Sequence, residues 1–160
     1  MWQHMGTGEE WNKNDLTWLI DGTTNGMLIW VADGSYDRKR APHVSGAGWV
    51  VYCTKTQRLL RGYFYELSDS ASSYRGEQLG ILALLHLALA SEEFYEIKDW
   101  YGKLCCDNQS EMYQASRKLL RIQPGAKGAD ILRNTRTVQT QLTARFKYEH
   151  VDGHMIRLLL

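Results

Sequence analysis

Between residues 27 and 67 the apolar positions fall into three short runs separated by polar turns. They are Ile29-Trp30-Val31-Ala32 ahead of Asp33-Gly34-Ser35, then residues 46–53, then residues 58–67 with Tyr63-Phe64-Tyr65. Runs of this length bounded by turn residues predict buried strands. Their short connections predict an antiparallel meander. At residue 73 the period changes. Residues 73–91 are rich in Leu and Ala and apolar nearly all round, which predicts a helix buried against a sheet, capped by Ser72 or Ser73. A fourth strand at 103–106 ends on Asp107 and passes through Asn108-Gln109-Ser110 into another helix. Residues 130–141 predict a further helix of mixed polarity. The alternating stretch 144–151 predicts a last, half-buried strand, followed by the polar turn Asp152-Gly153-His154. The whole predicts an α/β fold with a five-stranded mixed sheet, three antiparallel strands followed by parallel ones, flanked by helices. In that sheet the strands ending at Asp33 and Asp107 are expected to be adjacent and parallel.

Residues 1–24 are polar and Gly-rich, with scattered Trp2, Trp11 and Trp18, and are expected to be a peripheral or linker segment. Within them Asn14-Asp15 would cap a short helix at 16–20 on the outside of the domain. The folded domain is then 25–160, a size suited to one hydrophobic core. A net charge of +1 excludes a polycation, so any nucleic-acid contact must come from a local basic patch. Arg117, Lys118, Arg121 and Lys127 around Pro124-Gly125 form either a solvated face or such a patch. Three cysteines, two of them adjacent, make neither a disulfide framework nor a paired zinc site, and a reducing compartment is expected. With no leader-like start and no apolar run of membrane-spanning length, the reading is an intracellular protein, cytoplasmic or nuclear, with no membrane partner.

Candidate chemistry lies in the acids. Asp33-Gly34 taken alone is an ordinary strand-to-turn junction, although Gly34 permits close backbone approach and Ser35 adds a hydroxyl. Glu77, in the first turn of the long helix, is favoured there by the helix dipole whether or not it has a function. His86 on the same helix reads as a core or rim histidine. Asp107 repeats the strand-to-acid pattern of Asp33 and hands over to a helix N-terminus. If the three acids converge, they repel one another and raise each other's pKa unless a cation neutralises them. Hard oxygen ligands suit Mg²⁺ or Mn²⁺. Two such ions about 4 Å apart clamp the attacking and leaving oxygens of an in-line phosphoryl displacement. That chemistry is phosphodiester cleavage or transfer.

The order Asp33-Gly34-Ser35, Ser73-Tyr74-Arg75-Gly76-Glu77 opening a Leu/Ala-rich helix, Cys106-Asp107-Asn108-Gln109, and His150-Val151-Asp152-Gly153-His154 after a final strand resembles ribonuclease H. It is similar in particular to the ribonuclease H domain of retroelement reverse transcriptases, over about residues 27–155. The resemblance implies that Asp33, Glu77 and Asp107 are metal-binding carboxylates holding Mg²⁺ or Mn²⁺, two ions in a complete domain. It implies that His154 is the histidine that assists proton transfer or product release. Gly34, Ser35, Ser73 and Gln109 would contact the backbone and 2′-hydroxyls of an RNA–DNA hybrid in its minor groove. The basic loop at 117–127 resembles a reduced form of the substrate-gripping projection of some members.

One departure stands out. The family carries a fourth carboxylate on a closing helix beyond the histidine loop, and here no acid follows Asp152. The domain therefore reads as truncated at its C-terminus, or as having lost one ligand and much of its activity. The implied function is a metal-dependent endonuclease hydrolysing the RNA strand of RNA–DNA hybrids, within a reverse transcriptase polyprotein. The alternatives are a weakened or inactive module of the same fold that binds nucleic acid or a polymerase partner, and another nuclease or transposase of the superfamily. Glu77 in the middle of the order favours ribonuclease H over an integrase-like arrangement.

Overall fold

The computed structural model describes residues 6–7, 16–117 and 121–153. Its elements run β1 (Gly6–Thr7), α1 (Thr17–Thr24), β2 (Leu28–Ser35), β3 (Val44–Cys53), β4 (Leu59–Leu67), α2 (Ser73–Tyr95), β5 (Tyr101–Cys106), α3 (Gln109–Ser116), α4 (Ala129–Gln141) and β6 (Arg145–His150). The sheet order is β1-β4-β3-β2-β5-β6. The predicted meander β2-β3-β4 is antiparallel, and β5 and β6 add in parallel on the other side of β2. This is the mixed five-stranded sheet expected from the sequence, widened at one edge by the two residues of β1.

The strands divide their side chains between two unlike faces, as the period of two requires. On one face Trp30, Ala32, Trp49, Val51 and Leu60 are buried together with Ile81, Leu84, Leu85 and Ala88 of α2. Trp30, Trp100 and Phe146 meet there at centroid distances of 5.3 to 5.6 Å, locking β2, β5 and β6 together. On the opposite face Val31 and Cys105 form only a small cluster with Ile29 and Val151. One side of the sheet thus carries the core. Residues 17–24, expected in a peripheral segment, add to it through Trp18 and Leu19, both buried in the main cluster.

Helix α2 lies unusually close to the sheet because glycines face each other across the contact. A Cβ on Gly76 would meet the Gly46 carbonyl oxygen, and one on Gly80 would stand 3.1 Å from the Gly48 oxygen. Ser72, not Ser73, is the N-cap, its hydroxyl accepting from Arg75 N at 3.0 Å. The far end is held by buried Glu92, which accepts from Trp100 Nε1, Thr143 N, Thr143 Oγ1 and Ala144 N. Buried Arg75 pairs with Glu66 on β4 and Asp130 on α4, tying three elements beside the helix N-terminus. A rigid helix start is therefore presented to the rim of the sheet.

Candidate active site

Parallel pairing of β2 with β5 sets Val31 beside Cys105. Carrying that register two residues further brings Asp107, the residue just past the end of β5, level with Asp33 near the end of β2. Strand β2 runs on to Ser35, so Asp33 lies inside its last turn of pleat and not at its very end. The extension is paired with the glycine-rich start of β3, Asp33 with Gly48 and Ser35 with Gly46. Asp33 is half-buried, and its Oδ1 accepts from the Gly34 backbone N–H at 2.9 Å.

Glu77 arrives from α2. Its ligand oxygen, an Asp107 oxygen and the Cys106 sulfur all lie within 4.8 Å of one another. Burial raises the Glu77 pKa, and the charges of Asp107 and Asp33 push it further in the same direction, against hydrogen bonds from Asn108 and Ser73 that lower it. The three acids of the sequence reading are thus brought to one rim. Asp33 stands outside the tightest cluster but within electrostatic reach of Glu77. Cys106 is a poor partner for a hard cation: burial pushes its thiol up to about 12, and a protonated thiol is not a ligand.

The remaining predicted residues take different places. Ser73 Oγ is exposed and donates to Glu77 Oε1 at 3.2 Å. Gly34 lies under the helix start: a Cβ there would be 2.5 Å from Glu77 N and 2.6 Å from the Ser73 oxygen. Ser35 is exposed at the end of β2, and Gln109 is exposed at the first residue of α3. His154, together with Lys118 of the basic loop, lies outside the described residues. The backbone just before it is close to the site, since a Cβ on Gly153 would stand 2.9 Å from Asp107 Oδ2. His150 Nε2 lies 3.0 Å from the Asp107 carbonyl oxygen.

Two residues were passed over in the sequence. Asn108 Nδ2 donates to Glu77 Oε2, while its Oδ1 accepts from Glu111 N at 3.0 Å and caps α3. An Asn between a strand and a helix is a readable cap, but its second bond reaches across the fold. Glu111 is 1% exposed and faces Tyr74, Gln78 and Glu77. Burial pushes its carboxyl up to about 7, Glu77 adding to the rise while Tyr74 and Gln78 lower it. Nothing local marks it, because Glu in a first helical turn is ordinary.

Tested against a divalent cation, the donor set fits. Asp107 Oδ1 is buried with no hydrogen-bond partner among the described residues, and it lies beside a carboxylate whose charge is disfavoured by its neighbours. An orphaned carboxylate oxygen of this kind is costly unless a cation meets it.

No family model matches the sequence, and no curated protein matches it. Solved structures do match. Ribonuclease H1 from the halophilic archaeon Halobacterium salinarum superposes with a TM-score of 0.61 at 17% identity, over 81% of this chain and 89% of that one. LC11-RNase H1, solved in complex with an RNA/DNA hybrid, gives 0.61 at 13% identity over 80% and 87%. The foamy viral protease-reverse transcriptase, also solved with an RNA/DNA hybrid, gives 0.56 at 11% identity; the match covers 83% of this chain and 19% of that one. The fold is that of ribonuclease H.

Proposed function

We propose that this protein is a ribonuclease H-type endonuclease that hydrolyses the RNA strand of RNA–DNA hybrids, working within a reverse transcriptase polyprotein. The observation that carries the reading is the convergence of Asp33, Glu77 and Asp107 at one rim of a ribonuclease H sheet, where burial first and then the charges of Asp107 and Asp33 raise the Glu77 pKa. The comparisons support the fold, and the hybrid complexes among them make the hybrid the natural substrate class to test.

Asp33, Glu77 and Asp107 would hold Mg²⁺ or Mn²⁺. Such ions would neutralise the acids and lend Lewis-acid stabilisation to the charge that develops on phosphate oxygens. The chain's own groups do the positioning. Ser73 and Asn108 each bind one oxygen of Glu77, so its carboxylate cannot rotate away from Asp107. Gly34 lets the start of α2 approach the strand that carries Asp33, while exposed Ser35 and Gln109 would offer polar contacts to the hybrid. His154 would move a proton to or from the leaving group. Three buried free thiols suit a reducing, intracellular setting for this work.

The test is cleavage of an end-labelled RNA–DNA hybrid in Mg²⁺ or Mn²⁺. Wild type should cut the RNA strand and leave duplex DNA intact, and Asp107→Asn should lower the rate by at least about a hundredfold, the scale of losing an electrostatic stabiliser of the transition state. Tight hybrid binding with no cleavage in either metal would replace the enzyme with a binding module of the same fold.

A further inference from the structure

Among the described residues the face of the sheet away from α2 carries only a small apolar cluster, and it leads outward from the candidate site. Register pairs Asp33 with Gly48 and Gly48 with Tyr63; one step along, Ser35 pairs with Gly46 and Gly46 with Tyr65. Each row therefore runs from a polar residue at the rim, across a glycine, to a tyrosine. Residues in register share a face, so both rings stand on the side that carries Asp33. Gly48 leaves open backbone between Asp33 and Tyr63, while the Ser35 hydroxyl lies over Gly46. The result is a trough of about 570 Å³ bounded by Asp33, Ser35, Tyr36, Gly48, Tyr63 and Tyr65.

Among the described residues the two tyrosine rings stand largely in solvent, although the Tyr63 backbone pairs with Gly6 of β1. Each is 69% exposed, although the phenol ring is a side chain that normally buries most of its area. They lie two residues apart on β4, hence about 7 Å along the strand, and Tyr63 lies about two strand spacings, roughly 10 Å, from Asp33. The charged residues lining the trough are Asp33 and Asp37, and cations lie in the turn between Asp37 and Ala41, where Arg40 Nε stands 3.9 Å from Asp37 Oδ2. The turn after β2 carries exposed Arg38, Lys39 and Arg40, and Asp37 Oδ1 accepts from Lys39 N and Arg40 N, which fixes the turn beside the trough that Asp37 helps to line. Arg61 precedes Tyr63 by two residues and is exposed on the same face of β4.

We propose that this trough is a track for unpaired nucleotides of the cleaved strand where it leaves the hybrid, with Tyr63 and Tyr65 stacking bases and the turn at 38–40 holding phosphates. Flat rings presented two apart on an open sheet face, with cations at their border, are the elements of sequence-tolerant single-strand binding. A protein partner would ask for an apolar patch without the basic turn, and the continuity of the floor with Asp33 ties the track to the cutting site. The inference rests on the hybrid-cleaving reading above. It adds that the enzyme prefers a hybrid carrying a single-stranded RNA extension.

The experiment measures affinity by fluorescence anisotropy for three labelled probes: a blunt RNA–DNA hybrid, the same hybrid with an oligouridine tail on the RNA strand, and oligouridine alone. Wild type should favour the tailed hybrid over the blunt one. In Tyr63→Ala/Tyr65→Ala that preference should fall at least about tenfold, as expected for losing two stacking platforms, and in Tyr63→Phe/Tyr65→Phe it should persist. A tail that adds nothing to wild-type affinity overturns the proposal, as does an alanine pair that keeps the full preference. Self-association in sedimentation that only the alanine pair abolishes, with no tail preference in any form, would make this face a protein contact and also overturns it. If wild type does not bind the blunt hybrid but binds the tailed hybrid and free oligouridine equally, in both cases through the tyrosines, the track stands and the hybrid-cleaving reading falls.

Discussion

The α-carbon of Gly34 lies so close to the start of α2 that a Cβ there would sit 2.5 Å from the backbone nitrogen of Glu77 and 2.7 Å from its Cγ. The strand that carries Asp33 and the helix that carries Glu77 are therefore in van der Waals contact at the site, and the separation of the two acids is set by the missing side chain.

Gly34→Ala should force the helix start outward. Overpacking of this sort costs about 1 to 3 kcal/mol. Gly48→Ala is the matched control on the neighbouring strand, because a Cβ there meets nothing nearer than the Asp33 oxygen at 4.0 Å. Chemical denaturation of the two variants should separate them clearly. Equal losses would mean that the close approach is not what the glycine provides.

Divalent metal should stabilise the folded protein, because repulsion among Asp33, Glu77 and Asp107 exists only when they are assembled. With Mg²⁺ or Mn²⁺ at roughly tenfold its Kd the gain is about 1.4 kcal/mol, or about 3 to 6 °C in Tm for a chain of this size. Asp107→Asn should lose most of that upshift and melt no lower than wild type without metal, because one of the repelling charges is gone. Differential scanning fluorimetry reads both, and an unchanged upshift in the variant would remove Asp107 from the ligand set.

Glu111 predicts a pH dependence of its own. Its folded pKa of about 7 lies above the ordinary carboxylate value, so between about pH 4.5 and 7 the folded state holds a proton that the unfolded state has released. Stability contributed by this group is then full below pH 4.5 and is lost as pH rises through 7, by on the order of 2 to 3 kcal/mol. Glu111→Gln should flatten the decline and raise stability at neutral pH. Urea titrations across that window, without metal, should show a shallower slope in the variant, the remainder coming from Glu77, whose pKa is raised as well.

Much of this protein was legible along the chain. The change from short apolar runs to the Leu/Ala-rich stretch at 73–91 marked three strands and the central helix, because burial on one face imposes a period of two on strands and of 3.6 on helices. Asp33 and Asp107 stood out because each closes a short apolar run, and the order of the motifs around Glu77 indicated the fold and the candidate acids together. Only the tertiary structure decided the rest. Asn108 holds Glu77 across 31 positions of sequence, Glu111 is buried by helices that pack from elsewhere, and the track from Asp33 to Tyr63 exists because three strands fall into one register. Local pattern reports which face of an element is apolar, since that depends on neighbours in the chain. Which polar side chains meet depends on register and packing across the sheet, and a single strand carries no record of its partners' register.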